Sequence, residues 1–284
     1  MLLHRQRIVL EFLRLAGRPV GKIELMKWAF LLKLESQSRG GSAFYEFVPY
    51  HYGPFSFCLT RDANQLEKAG CLKSSEKTWE LSSAASRCHL PPELESDVGR
   101  VVERFRNTPL DDLLDRVYRD HPPYTVNSTR QKLAVRPVAP PGIYTVGYEG
   151  RQLDGLLDLL VQSGIQRLAD VRRNPVSRRF GFHKSTLVTH CKLLGIDYVH
   201  IPELGIASEE RSHLSATRDY AELFSRYERD TLTAQAQHVE RVAEWMGESA
   251  TAIMCMERDV CECHRGRLAK RIHELTGLPI NHLR

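Results

Sequence analysis

The chain has 284 residues, 42% of them hydrophobic, and carries a net charge of +5 with its histidines neutral. That length and apolar content suffice for two buried cores. No apolar run approaches the roughly 20 residues of a membrane-crossing helix, and residues 1–17 interleave Arg and His with Leu and Ile rather than forming a signal-peptide core. The composition therefore predicts a soluble protein of the cytoplasm with no membrane partner. Seven cysteines, an odd number, fit reduced thiols better than a disulfide scaffold. The charge is uneven: up to Gly142 there are 21 Lys and Arg against 16 Asp and Glu, and beyond it 19 against 19. A basic first half permits nucleic-acid binding without demanding it.

Apolar positions at helical spacing predict helices over residues 4–16 and 21–35, separated by Gly17-Arg18-Pro19. Residues 44–52 are aromatic-rich and strand-like and close on Gly53-Pro54; helical period returns over 55–69, and residues 72–81 read as a hairpin. Two further helices are predicted, one over 94–106 and one from Leu110 after Asn107-Thr108-Pro109. Three helices followed by a hairpin is the order of a winged-helix module, so a mainly helical, winged-helix-like domain is expected over residues 1–124. Tyr50-His51-Tyr52-Gly53-Pro54-Phe55-Ser56, followed by Leu66 to Gly70 and Leu72, resembles the signature of Panacea-like, phage-associated and antitoxin-type domains. That resemblance implies a protein partner as well as, or instead of, DNA. Lys22, Lys27, Arg61, Lys68 and Lys73 are candidates to face phosphate, although exposed basic residues also make up ordinary helix surfaces.

Proline-rich sequence around Pro122-Pro123 and Pro137 to Pro141 predicts a stiff linker over 125–142. Strand-like and helical runs alternate from residue 143 to 284, which predicts an α/β domain with a mostly parallel sheet covered on both faces. Ligands of such sheets gather beyond the carboxyl ends of the strands. The first predicted strand exits at Tyr148-Glu149, the second at Asp170-Val171-Arg172-Arg173 and the last at Cys255-Met256-Glu257, so three polar clusters are expected on one rim.

These segments, Thr145 to Gly150, Asp170 to Phe182, and Cys255-Met256-Glu257 with Cys263-His264-Arg265, resemble three signatures of the bacterial family catalogued as domain of unknown function 488. The repeated Cys-His-Arg triplet of that family gives His264 and Arg265 more weight than Cys261.

Glu149, Asp170, Glu257 and His264 are the candidate catalytic set: carboxylates to act as general base or to hold a divalent metal, and an imidazole that titrates near neutrality. Pairing of each carboxylate with a neighbouring arginine is the competing structural reading. Arg172, Arg173, Arg178, Arg179 and Arg265, with Ser177 and nearby Lys184, form the phosphate-binding set, because the guanidinium fork suits phosphate oxygens and a helix N-terminus follows the loop. A solvated turn is the alternative. Tyr148, Cys255 and Cys263 are expected in the same pocket, and Phe180, Phe182 and Tyr198 offer faces for base stacking or for core packing. Cys255, Cys261, Cys263 and His264 supply zinc-ligand types, but four positions within ten residues lack the two separated pairs usual in a structural zinc site.

The reading favoured by these features is a DNA-binding protein that hydrolyses a phosphodiester or glycosidic bond, in repair or phage defence. The alternatives are a regulator that senses a small anionic ligand, or a thiol switch at Cys263.

Overall fold

A computed structural model describes residues 2–85, 88–207, 209–211 and 217–284. The chain divides into two compact units, Met1–Val135 and Arg136–Arg284. None of the described helices is long and apolar enough to cross a membrane.

The first unit contains α1 (His4–Ala16), β1 (Val20–Gly21), α2 (Lys22–Glu35), β2 (Val48–Tyr50), β3 (Gly53–Phe55), α3 (Phe57–Lys68), β4 (Leu72–Ser74), β5 (Thr78–Leu81), α4 (Pro92–Phe105) and α5 (Leu110–Asp120). β5 pairs antiparallel with both β1 and β4, which gives a three-stranded sheet. Helix α1 stops where Gly17 takes a left-handed conformation, and α3 starts where the Ser56 hydroxyl accepts the Leu59 N–H.

The aromatic run 44–52 is not one strand. Only Val48–Tyr50 is extended, and it doubles back onto β3 at Gly53. Gly53 has φ +80°, and a Cβ there would lie 2.7 Å from the Tyr118 ring, so the turn that cuts the strand needs glycine. Phe44, Tyr45 and Phe47 are buried instead.

The candidate phosphate-facing cations separate clearly. Lys27 is 1% exposed, and its ammonium donates to the Pro54 carbonyl at 2.7 Å, so it meets no phosphate. The apolar stripe of α2 extends around the helix and takes this residue inside. Arg61 pairs with buried Asp62, and Lys22 lies over the Trp79 ring, whereas Lys68 and Lys73 are exposed.

Burial pushes the Lys27 ammonium from 10.5 down to about 7. Between those values the unfolded chain binds the proton more tightly than the folded chain does, so stability should rise with pH. The expected gain between pH 7 and 9 is about 2 to 3 kcal/mol, read from urea midpoints, and Lys27→Met should remove the slope. A wild-type slope that matches the variant's contradicts this assignment.

The second unit contains β6 (Gly142–Gly147), α6 (Leu153–Gln162), β7 (Arg167–Asp170), α7 (Lys184–Leu193), β8 (Asp197–His200), α8 (Thr217–Arg226), α9 (Leu232–Ala234), α10 (Ala236–Glu248), β9 (Ala250–Cys255), α11 (His264–Thr276) and β10 (Ile280–His282). A π-helical turn over Tyr227–Thr231 joins α8 to α9. The sheet is five-stranded in the order β10-β6-β9-β7-β8, and every pairing is parallel. An α/β unit with a parallel sheet is therefore present. β6 and β9 are buried along their whole length, as expected of central strands covered on both faces.

Chain direction explains which helices cover which face. The connections from β6 to β7 and from β7 to β8 move one way along the sheet, and those from β8 to β9 and from β9 to β10 move the other. Right-handed crossovers then put α6 and α7 on one face and α8 to α11 on the other. The buried cluster that joins Ile143, Ala169 and Ile253 to Phe224, Tyr227, Val242, Leu268 and Ile272 is the second of these faces. The loops after the adjacent strands β6 and β9 thus leave toward opposite faces, which opens a crevice at their carboxyl ends.

Candidate functional site

The expected rim residues fall into three separate groups. The first is a closed ion-pair network at the end of β7. Asp170 is 0% exposed, and its two oxygens accept four donors: the Arg172 backbone N–H at 3.1 Å, Arg172 Nε at 2.8 Å, Arg172 Nη2 at 2.5 Å and the Tyr198 hydroxyl at 2.6 Å. Arg172 is 5% exposed and spends its remaining Nη1 on the Tyr148 hydroxyl at 3.2 Å and the Phe182 carbonyl at 2.9 Å. Tyr148 and Phe182 stack with ring centroids 4.3 Å apart, so these aromatics pack on one another rather than offering an open face. Burial pulls the Arg172 guanidinium down, but the Asp170 carboxylate more than offsets it, and the net shift is upward. Burial and then Asp170 push the Tyr198 hydroxyl up. This pair is geometrically complete and offers neither a free carboxylate oxygen nor a free guanidinium.

The rest of the arginine loop behaves differently. Arg173, Arg178 and Arg179 are exposed. Arg173 donates to the Pro202 carbonyl at 3.2 Å; the Ser177 hydroxyl accepts the Arg179 N–H at 3.1 Å; and Arg179 Nη2 donates to the Arg151 carbonyl at 2.7 Å. Lys184 opens α7 with its ammonium 3.1 Å from His200 Nδ1.

The second group gathers Cys255, Cys263 and His264, all of them buried. His264 Nδ1 lies 3.8 Å from Cys255 Sγ and its Nε2 lies 3.2 Å from the Val171 carbonyl. Cys255 Sγ lies 3.2 Å from Glu257 Oε2. Burial, followed by neighbouring Cys255, pushes the Cys263 thiol well up, the opposite of what a reactive thiolate needs. Cys261 is exposed and stands outside the group.

The third group lines a cleft of about 490 Å³ at the crevice between β6 and β9, which extends along the end of β10. Arg151, Arg258, Arg265, Arg284 and His282 face it together with Glu149, Asp259 and Glu262. Glu149 is exposed and accepts the Arg258 N–H at 3.0 Å. Arg265 is 2% exposed; its Nη1 and Nη2 donate to the carbonyls of Glu257 at 2.6 Å and Arg258 at 3.0 Å, while its Nε has no partner among the described residues. His282 Nδ1 lies 2.8 Å from the Thr145 hydroxyl, and burial, then Arg265 and Arg284, lower its pKa, which favours the neutral imidazole. The floor of the cleft requires Gly147, because a Cβ there would lie 1.9 Å from the Glu257 carbonyl oxygen.

Of the residues expected from sequence, the cleft therefore takes Glu149 and Arg265. Asp170, Arg172 and Tyr148 go to the ion-pair network, and Cys255, Cys263 and His264 to the interior cluster. Glu257 touches both Cys255 and, through its carbonyl, Arg265.

Residues 152–272 match the family model described as Domain of unknown function DUF488. No curated protein and no solved structure matches the chain. The DUF488 match spans Asp170, Arg172, Phe182 and Tyr198 of the ion-pair network but not Tyr148, and includes the arginine loop and the Cys-His-Arg triplet. It stops short of Glu149 and Arg151 on one side and of His282 and Arg284 on the other, so the cleft combines DUF488 residues with flanking ones. Arg151 and Arg258 adjoin motifs read from the sequence and were missed for want of spacing that distinguishes them. His282 and Arg284 gave no signal, since the short strand that ends at His282 has one apolar residue in three.

The Asp170 geometry makes a stability prediction. Asp170→Asn leaves Arg172 buried without its counter-charge, and should cost about 3 to 5 kcal/mol, measured by urea unfolding. Glu149→Gln, at an exposed carboxylate, should change the same midpoint by less than about 0.5 kcal/mol. Equal effects of the two substitutions contradict this division of roles.

Proposed function

We propose that the protein binds nucleic acid and that its second unit holds a backbone phosphate in the Arg151, Arg258, Arg265 and Arg284 cleft while Glu149 serves as general base for hydrolysis. The observation that carries this reading is charge without partners. No carboxylate pairs with the side chains of Arg151, Arg258 or Arg284 among the described residues, and Arg265 adds an unpartnered Nε–H beside them. Four arginines against three carboxylates leave the lining with a cationic excess that a bound anion would neutralise. A cleft of about 490 Å³ is within the range that takes a nucleotide-sized ligand.

In this reading the arginines neutralise charge developing on a phosphoryl oxygen, and the Glu149 carboxylate takes a proton from attacking water. Neutral His282 is available to accept or relay that proton through Nε2. Arg173, Arg178 and Arg179, all exposed, would track the flanking backbone. The first unit is assigned to DNA or to a protein partner as a winged-helix-like, Panacea-like module, supported by its element order and by exposed Lys68 and Lys73. The size of the cleft equally suits a mononucleotide sensed without turnover, and the test below separates the two readings.

Purified protein is incubated with single- and double-stranded DNA, modified and unmodified, with divalent metal or with chelator, and scored for strand breaks and abasic sites. Wild-type protein should bind and cleave. Arg258→Ala with Arg284→Ala should weaken binding at least tenfold and reduce the dependence of log K on log salt by about two contacts. Glu149→Gln should bind as wild type and yield no product. Binding that leaves every substrate intact rejects the enzyme reading in favour of the sensor, and unchanged binding by the double variant rejects the cleft.

A further inference from the structure

The interior cluster contributes nothing to the lining of the cleft and needs its own explanation. Cys255 ends β9, Cys263 immediately precedes α11, and His264 is the first residue of that helix. Their ligand atoms all lie within 4.8 Å of one another, and none of the three residues is more than 2% exposed. We propose that Cys255, Cys263 and His264 hold a zinc ion, with Glu257 completing the shell.

Three observations on this chain support the assignment. Bond lengths of about 2.3 Å to sulfur and 2.0 to 2.1 Å to nitrogen or oxygen give a tetrahedral zinc site edges of roughly 3.4 to 3.8 Å between ligand atoms. The separations of 3.8 Å from Cys255 Sγ to His264 Nδ1 and 3.2 Å from Cys255 Sγ to Glu257 Oε2 lie close to two such edges. Glu257 is half-buried on the turn after β9, with a carboxylate oxygen already against Cys255.

The histidine is also set for ligation. Its Nε2 faces the Val171 carbonyl, which only accepts, so Nε2 carries the hydrogen and Nδ1 presents a lone pair to the two thiols. A ring N–H held by a backbone carbonyl is the usual support of a metal-bound imidazole.

The donor set selects the metal class. Two sulfurs and an imidazole favour zinc over magnesium, calcium or manganese, which prefer oxygen. Binding displaces the two thiol protons to solvent and leaves the oxidation state of every atom unchanged. The objection from sequence spacing falls because residues 256–262 form a turn that returns Cys263 and His264 to the strand they left. Cys261, on that turn, points outward.

The site is structural on this account. It ties the end of β9 to the start of α11 and so fixes the turn whose Glu257 and Arg258 carbonyls hold Arg265. It is independent of what the cleft binds, and a metal-free protein would leave the cleft proposal standing.

The test is metal analysis of the full chain, purified without a chelating tag from zinc-containing medium, together with titration of metal-free protein by cobalt(II). The expected result is one zinc per chain and, with cobalt, thiolate-to-metal charge-transfer absorption that saturates at one equivalent. Cys261→Ser should behave as wild type, while Cys263→Ser and His264→Gln should lose at least tenfold in affinity. The inference is overturned if stoichiometric cobalt gives wild-type protein no charge-transfer band, or if Cys263→Ser retains zinc as wild type does. Should that variant fail to fold, the wild-type titration decides the matter alone.

Discussion

The second unit is organised by the buried pair of Asp170 and Arg172. Two full charges taken out of water are tolerable only if each is completely engaged, and here the carboxylate accepts four donors while the guanidinium also reaches Tyr148 and Phe182. The consequence is mechanical. Asp170 ends β7, Tyr198 lies on β8, Tyr148 follows β6, and Phe182 closes the arginine loop, so a single network fastens three strand ends and the loop above them. One arginine of the loop is thereby withdrawn from solvent, and the others remain outside.

The cleft follows from topology rather than from that network. Because the chain leaves β6 toward one face and β9 toward the other, their carboxyl ends part, and Gly147 lets the Glu257 carbonyl close the floor. Arginines from four places in the chain meet there: after β6, after β9, on α11 and after β10. None of the loops alone is strongly basic. Four arginines and three carboxylates line the cleft, so a segment balanced in charge over residues 143–284 presents a small cationic excess there.

Much of the architecture was legible in the sequence. The runs at Ile143 to Tyr148 and Ala250 to Met256 are apolar without alternation, as buried parallel strands must be, and the rule that ligands lie beyond strand ends pointed to the edge of the sheet where the cleft opens. What the sequence does not carry is the direction of a side chain after its strand ends. Asp170 and Glu149 look alike as carboxylates at the ends of strand-like runs, yet one is enclosed by donors and the other is exposed. Spacing gave no sign that Cys255, Cys263 and His264 gather, because a short turn brings neighbours in sequence into a cluster. At Lys27 a charged residue on an amphipathic stripe was read as surface, although the stripe wraps the helix. β10 escaped notice because an edge strand of three residues has no periodicity to detect.

The central claim is that the cleft at the ends of β6, β9 and β10, and not the arginine loop, receives phosphate. A crystal structure of the full chain with a short oligonucleotide tests it most directly. The account predicts a phosphate group in contact with Arg258, Arg265 and Arg284 and within reach of Glu149, with the Asp170 to Arg172 pair unchanged. A phosphate seated on Arg178 and Arg179 with the cleft empty, or one that draws Arg172 away from Asp170, would contradict it.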